Sequence, residues 1–285
     1  NSRLTNLSNL SSEELEFFER SWAAIEPERR RQIVYRLVGL AENNLGLNFD
    51  SIFKYCLKDQ DDEVRSHAIE GLWENEEASL IGPLVDLLEQ DRSEKVQAVS
   101  ATALGKFAML AEHDKLRPCH VSSIQETLLA VINNKAKPVE VRSRALEAAA
   151  PLSLSQVGIA ILEAYQSHDF RLKVSSIYAM GKSCNTSWLP ILIKEMGSTD
   201  AEIRYEAARA CGELEKKEAV PHLTKLVNDI DVDVQMAAIQ ALGKIDSTQA
   251  KECLEQCLKN PDEAVSQTAE QALLEMETKE TLLFL

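Results

Sequence analysis

Only 10 glycines, 8 prolines and 5% aromatic residues occur in 285 positions. So few breakers and rings argue against a sheet protein with many turns. No apolar run approaches the ~20 residues of a membrane span, and the segment beginning Asn1-Ser2-Arg3 carries no apolar signal-peptide core. The expectation is a cytoplasmic chain with no membrane partner. Cations are also scarce: 31 Lys and Arg stand against 46 Asp and Glu, a net charge of −15. That balance opposes approach to a phosphate backbone, so no nucleic acid is expected. The six cysteines (Cys56, Cys119, Cys184, Cys211, Cys253, Cys257) form no CxxC pair and several fall at apolar helix positions, which reads as small buried hydrophobes. Cys253 and Cys257 can share a helix face, but a structural zinc needs about two more ligands and none lies near in sequence, so no metal is expected. No GxSxG elbow, glycine-rich phosphate loop or HExxH pair occurs, so no catalytic residue and no cofactor is assigned.

What is present is a repeat. DAEIRYEAARACGEL, DVDVQMAAIQALGKI and DEAVSQTAEQALLEM, starting at Asp200, Asp231 and Asp262, share one pattern. In these three a β-branched marker is followed by a small residue four positions later and an apolar residue eight positions later. The markers are Val64, Val96, Val141, Leu172, Ile203, Val234 and Val265, spaced by 32, 45, 31, 31, 31 and 31 residues. At plus four stand Ala68, Ser100, Ala145, Ser176, Ala207, Ala238 and Ala269; at plus nine stand Gly105, Gly181, Gly212 and Gly243. Small residues there let a neighbouring helix approach closely.

About thirteen residues before several markers a second amphipathic segment appears: GPLVDLLEQ from Gly82, LPILIKEM from Leu189, VPHLTKLV from Val220 and KECLEQCLK from Lys251. Apolar spacing of three and four makes each a helix, and Pro83, Pro190 and Pro221 fall near its start, where a missing N–H costs nothing. Each repeat is therefore two antiparallel helices. Asp61, Asp169, Asp200, Asp231 and Asp262, three residues before their markers, are placed to cap the second helix. Arg65, Arg142, Lys173 and Arg204 follow their markers by one residue, and pairing of these acids and bases is expected to form a ladder between repeats.

Ile33 extends the frame 31 residues back from Val64, behind the helix SSEELEFFERSWAAI with its Ser11/Glu14 capping box. The whole chain, 1–285, reads as one all-α solenoid, an α-α superhelix of about seven to eight two-helix repeats of 31 residues. Residues 1–48 are a degenerate first repeat, and 107–122 an insertion that prolongs a helix and adds a loop at Arg117-Pro118-Cys119-His120. Residues 277–285 form a C-terminal cap or a truncated repeat.

DDEVRSHAIEGL, DAEIRYEAARACGEL and DVDVQMAAIQALGKI resemble HEAT repeats, in the armadillo-like class, especially the short subclass first recognised in phycobilisome lyase subunits. The resemblance implies a right-handed superhelix with second helices lining the concave side, and a function as a non-catalytic protein-binding scaffold or adaptor whose partner is another protein or peptide. The alternative it implies is a bilin lyase-like or chromophore-handling accessory protein. Deoxyhypusine hydroxylase resembles the same architecture but binds iron through His-Glu pairs; His67, His113, His120, His168 and His222 are followed by Ala, Asp, Val, Asp and Leu. HEAT-like DNA glycosylases need a basic groove, which the net charge opposes.

Marker, plus four and plus eight face the core of a second helix, which leaves plus two and plus six toward the flanks of the concave face. Tyr205 and Met236 occupy plus two; Tyr178 and Arg209 occupy plus six. Large side chains with a polar handle, and an adaptable methionine, suit a partner contact. Lys182 and Glu213 at plus ten, with Trp188 in the following loop, extend the candidate patch as a mixed-charge rim. The alternative is that the tyrosines only fill gaps between repeats.

Overall fold

A computed structural model describes residues 4–44 and 46–283, with side chains as far as 278. Sixteen α-helices and no strand occur among the described residues. The chain forms two compact units, Asn1–Leu152 and Ser153–Leu285. The first holds α1 (Ser12–Trp22), α2 (Pro27–Asn43), α3 (Asp50–Cys56), α4 (Asp62–Gly71), α5 (Ile81–Gln90), α6 (Glu94–Glu112), α7 (Pro118–Asn133) and α8 (Val139–Ala149). The second holds α9 (Ser155–Tyr165), α10 (Phe170–Lys182), α11 (Leu189–Glu195), α12 (Ala201–Leu214), α13 (Val220–Leu226), α14 (Val232–Lys244), α15 (Thr248–Cys257) and α16 (Glu263–Leu283). From α3 onward each odd-numbered helix packs on the even-numbered helix after it, and within each unit successive even-numbered helices stack on one another. Each unit is thus an α-α superhelical stack of hairpins.

Helical period explains the core. All seven markers are buried and every plus-four residue is fully buried, because positions four apart lie on one helix face. Asp61, Asp200, Asp231 and Asp262 each accept backbone N–H bonds two and three residues ahead, and Asp169 accepts from the Leu172 amide. The capping box of Ser11 and Glu14 forms at α1. Pro190 and Pro221 enter the first turns of α11 and α13.

The plus-nine glycines set the stacking distance. Each faces an alanine at plus seven of the next even-numbered helix: Gly105 meets Ala148, Gly181 meets Ala210, Gly212 meets Ala241 and Gly243 meets Ala272. A Cβ on Gly181 would lie 2.7 Å from the Ala210 Cα, so the two backbones are as close as their atoms allow.

Four expectations need correction. The first-repeat marker is Val34 and not Ile33, because Val34 is fully buried while Ile33 is only half-buried. The segment 117–120 is no loop: Pro118 opens α7, the chain turns at 113–117 through Asp114 at φ 57°, and the extra length goes into a 19-residue α6 and a 16-residue α7. Proline at N1 has its φ preset for the helix and no N–H to lose. Cys119 and Cys184 are exposed, and the other four cysteines are buried. The ladder exists but uses mostly different acids; Asp61 does pair across repeats, with Arg31 of α2 at 2.7 Å. Arg65 binds Asp91 at 2.7 Å and Arg204 binds Asp229 at 2.7 and 2.8 Å, aspartates five residues before the next marker; the capping aspartates three residues before their markers accept from backbone amides. The same guanidinium groups donate to Asp59 and Ser198 carbonyls in their own hairpin turn. Lys173 instead reaches Glu195 at 2.9 Å, and Arg142 donates to the Ile132 carbonyl.

At the C-terminal end α16 runs from Glu263 to Leu283; the last residues of the 277–285 segment lie outside the described residues.

Candidate partner-binding face

Within each unit the even-numbered helices pack on one another far more extensively than the odd-numbered ones do, so they form the inner layer. Plus-six and plus-ten side chains emerge from it. In the second unit Arg209 of α12 places its guanidinium carbon 5.9 Å from the ring centre of Tyr178 on α10 and 5.5 Å from that of Tyr205. Guanidinium groups at this range are attracted by the ring quadrupole. Arg209 also pairs with Glu206 at 3.2 Å, so one cation locks three side chains across two repeats.

The plus-ten column continues the order. Glu213 accepts from Lys182 at 3.1 Å and from Lys244 at 2.7 Å, linking α10, α12 and α14. Burial pushes the Glu213 pKa upward, but the hydrogen bonds from Lys244 and Lys182 and the two lysine charges outweigh it and hold the group below the usual glutamate value. Tyr205 and Met236 line a 490 Å³ cleft whose edge carries Glu202, Asp231 and Asp233. The structure therefore brings together Tyr178, Tyr205 and Arg209 as one cluster, Lys182 and Glu213 as one link, and Tyr205 with Met236 in one cleft. Trp188 stands apart, half-buried in the short turn Thr186–Trp188 ahead of α11.

Plus two is not generally an outward column: Ser66, Ala98, Ser143 and Val174 are buried there. Tyr205 and Met236 are half-exposed because their rings and thioether are too long for the space between helices. The Tyr205 ring packs on Arg209 and also lines the cleft.

Sequence reading missed a larger feature in the first unit. A 1560 Å³ cleft runs along its inner layer, with Trp73 62% exposed and Met109 46% exposed among its walls. The signal was visible in the plus-nine column, where Trp73 stands in place of glycine. Its helix α4 ends at Gly71, so Trp73 falls past the close helix contact and turns outward. Lys106 was missed too; its ammonium donates to the carbonyls of Leu72 at 3.4 Å and Trp73 at 2.6 Å, which closes the C-terminal end of α4.

In the second unit a further cluster joins α9 to α11. The Tyr165 hydroxyl donates to Glu195 at 2.6 Å, and Lys173 pairs with the same carboxylate while lying over the Tyr165 ring. Burial and the bond to Glu195 push the Tyr165 pKa up to about 12. Glu195 is itself buried, which opposes its charge, yet the Tyr165 and Lys173 bonds keep it below the ordinary value. This is a structural link, since every polar atom in it is already paired.

The described residues hold no group of three or more His, Cys, Asp or Glu side chains able to bind a metal ion. Cys253 and Cys257 do share a face of α15, and the interaction between the two thiols draws the Cys253 pKa below the usual thiol value and raises that of Cys257. No described helix is long and apolar enough to cross a membrane.

A family model for HEAT repeats matches residues 50–120 and 189–274, together more than half of the chain. No curated protein matches the chain by sequence. Among solved structures it is similar to the complex of CpcE and CpcF of phycocyanin lyase from Nostoc sp., at 17% identity over 80% of this chain and 94% of that one, with a TM-score of 0.53. It is also similar to human deoxyhypusine hydroxylase in complex with glycerol, at 18% identity over 93% and 96% of the two chains, with a TM-score of 0.41. Identities this low speak to fold alone.

Proposed function

Because the chain belongs to the HEAT repeat family, we propose that it is a non-catalytic protein-binding scaffold, acting in the cytoplasm, whose inner helical layer holds another protein or peptide. The observation that carries this reading is the Tyr178–Arg209–Tyr205 cluster beside the Tyr205/Met236 cleft. A binding patch gains affinity when its large side chains are already ordered, since less rotamer freedom is lost on docking. Arg209 supplies that order by fixing both rings, and aromatic and arginine side chains carry most of the energy at protein interfaces. Met236 adds an adaptable apolar wall.

The net charge of −15 disfavours nucleic acid as the partner. The chromophore-handling alternative draws on likeness of fold, which fixes no residue set, and we set it aside. The test is affinity capture from the native cell with the unaltered protein and with Tyr205→Ala/Arg209→Ala, followed by mass spectrometry. The scaffold reading expects a partner retained by the first and weakened by roughly 2 kcal/mol or more in the second, with helical content unchanged. Equal retention by a folded double variant refutes the patch.

A further inference from the structure

The inner cleft of the first unit has walls and charges that the patch in the second unit does not explain. Its 1560 Å³ exceeds the ~300–1,000 Å³ typical of small-molecule sites, which is room for a length of chain. Trp73 and Met109 present apolar surface to it at 62% and 46% exposure, where large apolar side chains facing a concavity mark an interaction site. Glu42, Glu74 and Glu76 line the same space and form no ion pair among the described residues. The two cations in the walls are already engaged: Lys106 by the carbonyls that end α4, and Arg144 by Glu140 at 2.9 Å and Glu147 at 2.8 Å. Burial also draws the Lys106 pKa below its usual value. The lining is therefore apolar at Trp73 and Met109 and net negative, its carboxylates outnumbering Lys106 and Arg144.

We propose that this cleft binds a basic, amphipathic peptide segment of a partner protein, its apolar side chains against Trp73 and Met109 and its Lys or Arg side chains against Glu42, Glu74 and Glu76. This rests on the scaffold reading and names the partner chemistry for one of its two units. The indole N–H of Trp73 donates to nothing in the described structure, which leaves it a donor for a peptide carbonyl. Complementary charge at the edge speeds association and selects against acidic segments, while the buried apolar anchors hold the complex.

The test is fluorescence anisotropy with a labelled synthetic helix of Leu and Lys, beside one with Glu in place of Lys. The full chain is expected to bind the first and not the second, with affinity falling as salt rises. Trp73→Ala, and separately Glu74→Lys/Glu76→Lys, are expected to weaken binding at least about tenfold with circular dichroism unchanged, while Ile230→Ser, on an exposed turn of the other unit, leaves it as it was. Equal binding of both peptides, no binding of either, or binding indifferent to both cleft variants overturns the proposal. So does a peptide-free dimer that Trp73→Ala dissociates, which assigns the cleft to a second copy of the chain. Failure with the peptides while native capture still depends on Tyr205 and Arg209 removes this assignment alone; a native partner retained by every inner-layer variant removes the scaffold reading.

Discussion

Gly212 of α12 lies so close to Ala241 of α14 that a Cβ added to it would stand 2.8 Å from the Ala241 Cα and 2.9 Å from its Cβ. Alanine is the better helix former by about 1 kcal/mol, yet here the added methyl meets backbone and cannot turn aside. Gly212→Ala is expected to destabilise the protein by about 1–3 kcal/mol through forced separation of the two helices. Gly158 in α9 has nothing within 4 Å of the same position, so Gly158→Ala is expected to gain about 0.5–1 kcal/mol. Urea unfolding of the two variants checks both signs, and a stabilised Gly212→Ala contradicts the stacking account.

The Arg204–Asp229 pair gives the stability a defined acid limb. Asp229 is drawn below the ordinary aspartate value, chiefly by the Arg204 hydrogen bond. A carboxylate with a depressed folded pKa contributes stability above its unfolded pKa of about 3.9, and that contribution is lost as pH falls through the lower folded value. Asp229→Asn is expected to cost on the order of 2 kcal/mol at pH 7, between an exposed and a buried pair, and to flatten the stability profile below about pH 5. Denaturant titrations from pH 3 to 7 read both; an unchanged acid slope speaks against the pair.

Glu213 joins two lysines, but all three side chains remain part-exposed. Solvent and salt screen such links, so Glu213→Gln is expected to cost about 1 kcal/mol or less, and the difference is expected to shrink at 1 M salt. Thermal melts at low and high salt measure it. A loss of several kcal/mol assigns the link a core role instead.

Native mass spectrometry of the purified protein is expected to give the mass of the polypeptide alone, with no visible absorbance band. One tightly bound iron or zinc per chain, or a coloured protein, contradicts the scaffold reading and favours metal or chromophore chemistry.

The fold was legible because helical repeats write their packing into a fixed register. Ala207 and Ala238 are small for the reason that Gly212 and Gly243 are absent of side chains: the next helix needs the space. Ladder partners were harder to read, since Asp91 and Asp229 sit in turns whose geometry decides which carboxylate reaches the next repeat. The capping aspartates had the more regular spacing but were engaged by their own helix, with Asp61 reaching Arg31 of the preceding repeat as well. In the candidate face, spacing placed Tyr178 and Arg209 together, but Trp188 was separated by its turn. Trp73 escaped notice because its exposure depends on where α4 stops, and helix ends are set by local caps that the 31-residue period does not contain.

The central claim is that the inner helical layer is the working surface, and hydrogen exchange of the protein with and without its captured partner tests it most directly. Added protection is expected on the exposed turns and end residues of the even-numbered helices α4, α6, α10, α12 and α14, with α5, α11 and α13 unchanged. Protection confined to the odd-numbered helices contradicts the account.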